Sequence, residues 1–285
     1  MLQQLMIYAQ LMRLNKPIGI WLLAWPMLWA LWVAAEGFPD QRILIIFCIG
    51  ALVTRSAGCV INDIADRNID GHVRRTRMRP LANGDIGIAE AIAVFVALGL
   101  VAIGLVTMLN PLTQILAGAA TVLMIAYPFM KRFLSVPQLI LGLAFAMAIP
   151  MAFAALTGEI DAVAWFIFAI TVVWAVIYDT MYAMCDREDD VIAGVRSTAI
   201  LFGEADRFVI GALQVLMLLG LLMLGDRLTL GGWYYLSVIA TAVFMIYQQV
   251  LIRERDPMRC FQAFLNNHFI GMVLFIGIAL HYAYV

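Results

Sequence analysis

The chain has 285 residues, of which 64% are hydrophobic and 13% charged, with a mean hydropathy of +0.94. An ordinary soluble domain carries roughly twice that charged fraction, so this composition excludes one. A formal net charge of −1 excludes a partner chosen by bulk charge, nucleic acid included.

Apolar runs long enough to cross a bilayer lie at about 18–36, 43–62, 88–109, 112–130, 137–157, 162–180, 207–224, 231–251 and 267–284. They predict an all-α fold, a membrane bundle of nine transmembrane helices forming one domain over residues 1–285. Turn-forming residues punctuate the runs at Gly37-Phe38-Pro39, Asn110-Pro111, Ser135-Val136-Pro137, Gly158, Gly231-Gly232 and Asp256-Pro257. Arg13 and Lys16 precede the first run as they would in a signal peptide. That run, however, carries Trp21, Trp25, Pro26, Trp29 and Trp32, and is too long and bulky for a cleaved segment. The cysteines Cys48, Cys59, Cys185 and Cys260 form no CxxC pair and read as ordinary thiols.

Charge sets the orientation. Nine spans with the N-terminus inside put fifteen of the 18 basic residues on one side and only Arg42 and Arg227 on the other, with Arg55 inside a span. This is the asymmetry of the positive-inside rule. A single kinked helix across Asn110-Pro111 would lower the count and spoil the split. The N-terminus is therefore expected in the cytoplasm and the C-terminus outside.

Acidic residues gather on the same side, in or beside the two longest loops expected, about 63–87 and 181–206. Asn62, Asp66 and Asp70 are spaced i, i+4, i+8, one helical face if the second span continues through them. Asp179, Asp186 and Asp190 are spaced i, i+7, i+11, again one face, with Tyr182 near it. Solvated acidic loops would have no reason to repeat this pattern. Carboxylates so close repel unless a cation sits among them, and an all-oxygen set selects a hard ion, Mg²⁺ above all where phosphate is handled.

Arg74, Arg75, Arg77 and Arg79 follow the first acidic motif, and Lys131 ends the fourth span. Forked arginines beside a metal-binding carboxylate set suit a diphosphate held from both sides, although positive-inside charge alone also explains part of the cluster. Arg55 lies seven residues, two turns, before Asn62 and on the same face, at about 1.5 Å per residue some 10 Å deeper. A charge at that depth calls for a partner.

These motifs carry a resemblance. N-D-x-x-D-x-x-x-D at 62–70, Y-x-x-x-K at 127–131 and D-x-x-x-Y-A-x-x-D-x-x-x-D at 179–190 resemble the signature set of the UbiA superfamily of intramembrane aromatic prenyltransferases. Arg13–Gly19, Arg74–Gly84 and Ser197–Gly203 extend the likeness along essentially the whole chain, toward the bacterial members of ubiquinone synthesis, with Asn83 standing where that pattern has serine. The resemblance implies a nine-helix bundle around a central cavity in the bacterial inner membrane. It also implies transfer of a polyprenyl group from its diphosphate to the ring carbon beside the phenol of 4-hydroxybenzoate.

The expected mechanism follows. Mg²⁺ on Asn62, Asp66 and Asp70, and a second ion on Asp186 and Asp190, would stabilise the departing diphosphate, with Arg79, Lys131 and Arg74 sharing the load. Tyr127, Asp179 and Tyr182 join the substrate site by the resemblance. Asp186 or Asp190 would steer the phenol or take the ring proton. Arg55 is expected to hold the benzoate carboxylate; the plainer reading is a structural arginine that snorkels or pairs with an aspartate. Three other activities stay open. One is a family member acting on another aromatic or quinone precursor. A phospholipid headgroup phosphotransferase would keep its acids in one compact motif, whereas 116 residues separate Asp70 from Asp186. A transporter would carry its acids near the bilayer midplane.

Overall fold

The computed structural model describes residues 2–71, 76–130 and 132–284. In chain order the helices are α1 (Leu2–Leu11), α2 (Ile18–Ala34), α3 (Gln41–Asp70), α4 (Ile88–Val106), α5 (Pro111–Met130) and α6 (Pro137–Ala146). There follow α7 (Ala148–Thr157), α8 (Ala162–Ala193), α9 (Thr198–Phe202), α10 (Asp206–Arg227), α11 (Gly232–Leu251) and α12 (Pro257–Tyr284). No strand occurs among the described residues. Eight helical stretches there are long and apolar enough to cross a membrane, α6 and α7 together making one of them. The first expected span, α2, has 17 residues. At about 1.5 Å per residue it reaches roughly 26 Å, a little short of a hydrocarbon core of about 30 Å.

Several helices run past the apolar segments that announce them. The second expected span ends near residue 62, yet α3 continues to Asp70; the sixth ends near 180, yet α8 continues to Ala193. Both motif regions expected to open into loops are thus largely helical. Apolar periodicity stops where the bilayer stops, but nothing at those points breaks a helix. The real stops lie farther on. Gly71 follows α3, and Thr76 donates its Oγ1 hydrogen to the Asp70 carbonyl at 2.9 Å. Gly194 ends α8 at φ +68°, a left-handed cap that glycine adopts without cost. At the other end of α8, the Asp161 carboxylate accepts from the Ala164 N–H at 2.8 Å. Helix α12 begins ten residues before its apolar run for a similar reason. Pro257 suits a first helical position, and Asp256 accepts from the Arg259 N–H at 2.9 Å. The reverse happens at 137–157, where one expected span is two helices. Pro150 has no N–H for the Ala146 carbonyl, and the break falls there, between α6 and α7.

Helices α2, α8 and α12 form the centre. Trp29 of α2 stacks on Trp174 of α8 with centroids 5.2 Å apart, and its Nε1 donates to the Gly271 carbonyl of α12 at 3.0 Å. Trp174 in turn donates to Asn267 Oδ1 at 3.0 Å. These indoles are buried with their single donors satisfied, which fixes three helices to one another. Helix α10 packs on α8, and α11 on α12. Helices α4 and α5 are the least buried spans, at 6% and 17% of their apolar windows, and form a thin outer wall. Between that wall and the centre lies a cavity.

Candidate active site

The cavity has a volume of about 1320 Å³. One end is polar. Asn62, Asp63, Asp66 and Asp70 reach it from α3 and Asp186 and Asp190 from α8, while Asp179, two turns earlier on α8, lines the chamber deeper. The two acidic motifs therefore share one chamber, with Asp66, Asp70 and Asp186 buried. The rest of the wall is mainly apolar, including Phe95 and Ile103 of α4 and Met124 of α5.

Continuous helix is what makes this possible. In α3, Asn62, Asp66 and Asp70 follow one another by whole turns and face the chamber together. In α8 the same holds for Asp179, Tyr182, Asp186 and Asp190. The end of α8 is tied down by Asp206, the first residue of α10, which is 0% exposed. Arg187 donates to it, and Arg255 donates to it from the turn before α12 at 3.0 Å.

Arginines hold the first motif. Arg13 donates from its Nη2 to both carboxylate oxygens of Asp63, at 2.7 and 2.8 Å. Arg79 donates to Asp70 at 2.7 Å and to Asp63 at 3.1 Å. Asp63, 1% exposed, is thus the shared acceptor that ties the segment before α2 and the loop after α3 to the helix. Arg74 and Lys131 lie outside the described residues.

Arg55 sits deeper on the same chamber wall. Its Nη1 donates to Cys59 Sγ at 3.0 Å, its guanidinium lies over the Phe145 ring at 5.7 Å, and its Nε is buried with no hydrogen-bond partner among the described residues. Among the bonds and ion pairs described for it, none is with an acid. Gly19 makes the position possible. A Cβ there would meet Arg55 Nε at 2.2 Å, so α2 presents bare backbone to the guanidinium. Tyr127, Tyr178 and Tyr182 all lie within electrostatic reach of Arg55 and line the chamber. Tyr182 also packs on Phe264, 4.8 Å between centroids.

The donors suit a hard divalent cation that arrives with phosphate. Among the described residues, no three carboxylate, imidazole or thiolate groups stand close enough to cage an ion alone. Mg²⁺ is commonly held by one or two carboxylates with substrate phosphate and water completing the shell. Two carboxylate sets on facing walls of one chamber fit that mode.

Sequence reasoning passed over Asp63, Arg13 and Tyr178. Asp63 stands one residue off the acidic stripe, and its partner Arg13 is fifty residues away. Arg13 has φ +58°, unusual outside glycine, which only the folded chain reveals.

The family model for the UbiA prenyltransferase family matches residues 23–276. The chain is 56% identical to the 4-hydroxybenzoate octaprenyltransferase of Alkalilimnicola ehrlichii, over 96% of this chain and 93% of that one. It is 56% identical to the protein of the same name from Nitrosococcus oceani over 99% of both chains, and 52% identical to that of Aeromonas hydrophila over 96% of both. Among solved structures, a UbiA homolog from Aeropyrum pernix superposes with a TM-score of 0.81 at 22% identity, covering 91% of this chain and 97% of that one. A UbiA homolog from Archaeoglobus fulgidus, bound to GPP and Mg²⁺, superposes with a TM-score of 0.74 at 18% identity, over 98% and 100%.

Proposed function

This chain belongs to the UbiA prenyltransferase family, and on that premise we propose that it transfers a polyprenyl group from polyprenyl diphosphate to 4-hydroxybenzoate in ubiquinone synthesis. The observation that carries this reading is the meeting of Asp66 and Asp70 with Asp186 and Asp190 in one chamber whose remaining wall is mainly apolar. Such a chamber suits a substrate that is a diphosphate at one end and a hydrocarbon along the rest. Full-length relatives named octaprenyltransferases make an eight-unit chain the donor to test first.

The polar end takes the diphosphate, and Arg79, Arg74 and Lys131 neutralise its charge. Mg²⁺ held by Asn62, Asp66 and Asp70, with a second ion on Asp186 and Asp190, would supply the Lewis acidity that makes diphosphate a good leaving group. The allylic C–O bond breaks with its electron pair leaving on diphosphate. The apolar wall keeps water from the allylic cation and seats the tail along α4 and α5. The ring carbon beside the phenol attacks, and its proton leaves to an acceptor in the second acidic motif, Asp186 or Asp190. Tyr127, Asp179 and Tyr182 shape the space between the acids and Arg55. Arg55 holds the benzoate carboxylate, so the ring lies between a deep cation and the metal-binding rim.

Residues 1–285 act as one membrane domain of nine spans, α2 included, in a bacterial inner membrane. The N-terminus and the acidic motifs face the cytoplasm, supported by the basic residues gathered at that end. Radiolabelled prenyl diphosphate offered to membranes with 4-hydroxybenzoate and Mg²⁺ tests the activity. Label in a prenylated benzoate is expected; label appearing only with a different acceptor, or none at all, would overturn the reading.

A further inference from the structure

The Tyr178 hydroxyl is buried and has no hydrogen-bond partner among the described residues, on a side chain that is 2% exposed and lines the chamber. A phenylalanine would fill the same space without leaving a polar atom unsatisfied, and an unsatisfied buried hydroxyl costs stability. The ring is held in place. It stands edge-on to Trp174, with centroids 5.5 Å apart, and to Phe264 at 6.2 Å. Trp174 is itself fixed by Trp29 and Asn267. The hydroxyl is therefore a rigid donor waiting on an acceptor that the described residues do not provide.

Its depth identifies the acceptor. Tyr178 precedes Asp186 by eight residues of continuous helix, about 12 Å at 1.5 Å per residue. Arg55 precedes Asn62 by seven residues of α3, about 10 Å. Each side chain thus lies about two turns before a metal-binding residue of its own helix, Arg55 before Asn62 and Tyr178 before Asp186, with Asp179 next to Tyr178, on two helices lining one chamber and within electrostatic reach of each other. Diphosphate held between Asn62 and Asp186 would lie about 10 Å from both. A carboxylate has two oxygens and accepts from two directions at once. On the proposed function, the substrate group that reaches this depth is the carboxylate of the aromatic acceptor.

Resting on that function, we infer that Tyr178 is a specificity-determining residue for the acceptor, its hydroxyl donating to one carboxylate oxygen while Arg55 binds the other. A site built to hydrogen-bond a substrate group rejects analogues that lack it, and Tyr178 supplies part of that rejection.

Purified wild type and Tyr178→Phe test this by thermal unfolding with and without 4-hydroxybenzoate, and by steady-state kinetics. Without 4-hydroxybenzoate the variant should have an unchanged or higher Tm, and the shift that 4-hydroxybenzoate produces should shrink. KM for 4-hydroxybenzoate should rise about tenfold while KM for prenyl diphosphate stays constant. With 4-methylphenol, which has no carboxylate, the two proteins should behave alike. A variant with wild-type KM and wild-type thermal shift overturns the inference and leaves the function intact. So does a variant with a lower Tm and equal loss for both substrates, which marks a packing role. If the wild type neither binds nor prenylates 4-hydroxybenzoate, the function and the inference fall together.

Discussion

Arg79 donates to Asp70 at 2.7 Å, so a residue expected to grip diphosphate and one expected to grip metal hold each other. Asp63 completes the arrangement as acceptor for both Arg79 and Arg13. Asp63→Asn leaves two arginines short of their buried counter-charge. The expected loss is about 2–3 kcal/mol of stability, read from unfolding in detergent. Arg79→Ala should instead act on the substrate, raising KM for prenyl diphosphate and sparing that for 4-hydroxybenzoate. Equal effects on both substrates would remove Arg79 from the diphosphate site.

Metal dependence is the second expectation. EDTA should abolish transfer and Mg²⁺ restore it. Asp66→Asn and Asp186→Asn should each slow turnover on the order of a hundredfold or more, because each removes a charge that holds an ion against diphosphate. Near-normal turnover in either variant at saturating Mg²⁺ would take that motif out of the chemistry.

Arg55 and Gly19 make a linked pair of tests. Arg55→Ala should raise KM for 4-hydroxybenzoate about 10- to 100-fold with little change for prenyl diphosphate, and lysine should rescue only in part, having lost the fork. Gly19→Ala sets a methyl group where Arg55 Nε lies, 2.2 Å away, and the flexible guanidinium must give way. Its KM effect should point the same way and vanish in an Arg55→Ala background. Additive effects of the two substitutions would show that Gly19 acts elsewhere.

Orientation has its own measurement. A reporter active only outside the cytoplasm should be active when fused after Val285 and silent when inserted near Arg75 or Asp189. Activity at either internal position would put the acids on the wrong side for cytoplasmic substrates.

The sequence displays the acidic stripes because Asn62, Asp66 and Asp70 repeat by whole turns, and because Asp186 and Asp190 echo them. That they face one chamber needed only the assumption of continuous helix, which α3 and α8 satisfy. Helix ends were harder to read. Hydropathy marks where lipid stops, and α3, α8 and α12 all run on into polar sequence carried by caps and counter-charges. Asp63, Arg187 and Arg255 were invisible as partners because their contacts join segments 19 to 50 residues apart. Tyr178 was hidden for a different reason: in an apolar run a tyrosine looks like any aromatic until the want of a partner for its hydroxyl is seen.

Helices α3 and α8 have 30 and 32 residues, so each is about 45–48 Å long, against a hydrocarbon core of about 30 Å. Their acid-bearing ends project as stiff levers pivoted in lipid. Spans adapt to a thicker or thinner bilayer by tilting, and a tilt of about 10° swings a point some 15 Å beyond the pivot by about 3 Å. The gap across which diphosphate is gripped is then set partly by acyl-chain length. Turnover in vesicles should pass through a maximum as the lipid chains lengthen, with the apparent affinity for Mg²⁺ falling on either side of it. A flat response would mean that the Arg187–Asp206–Arg255 tie on α8 and the Arg13 and Arg79 bonds to α3 hold the levers rigid whatever the membrane does.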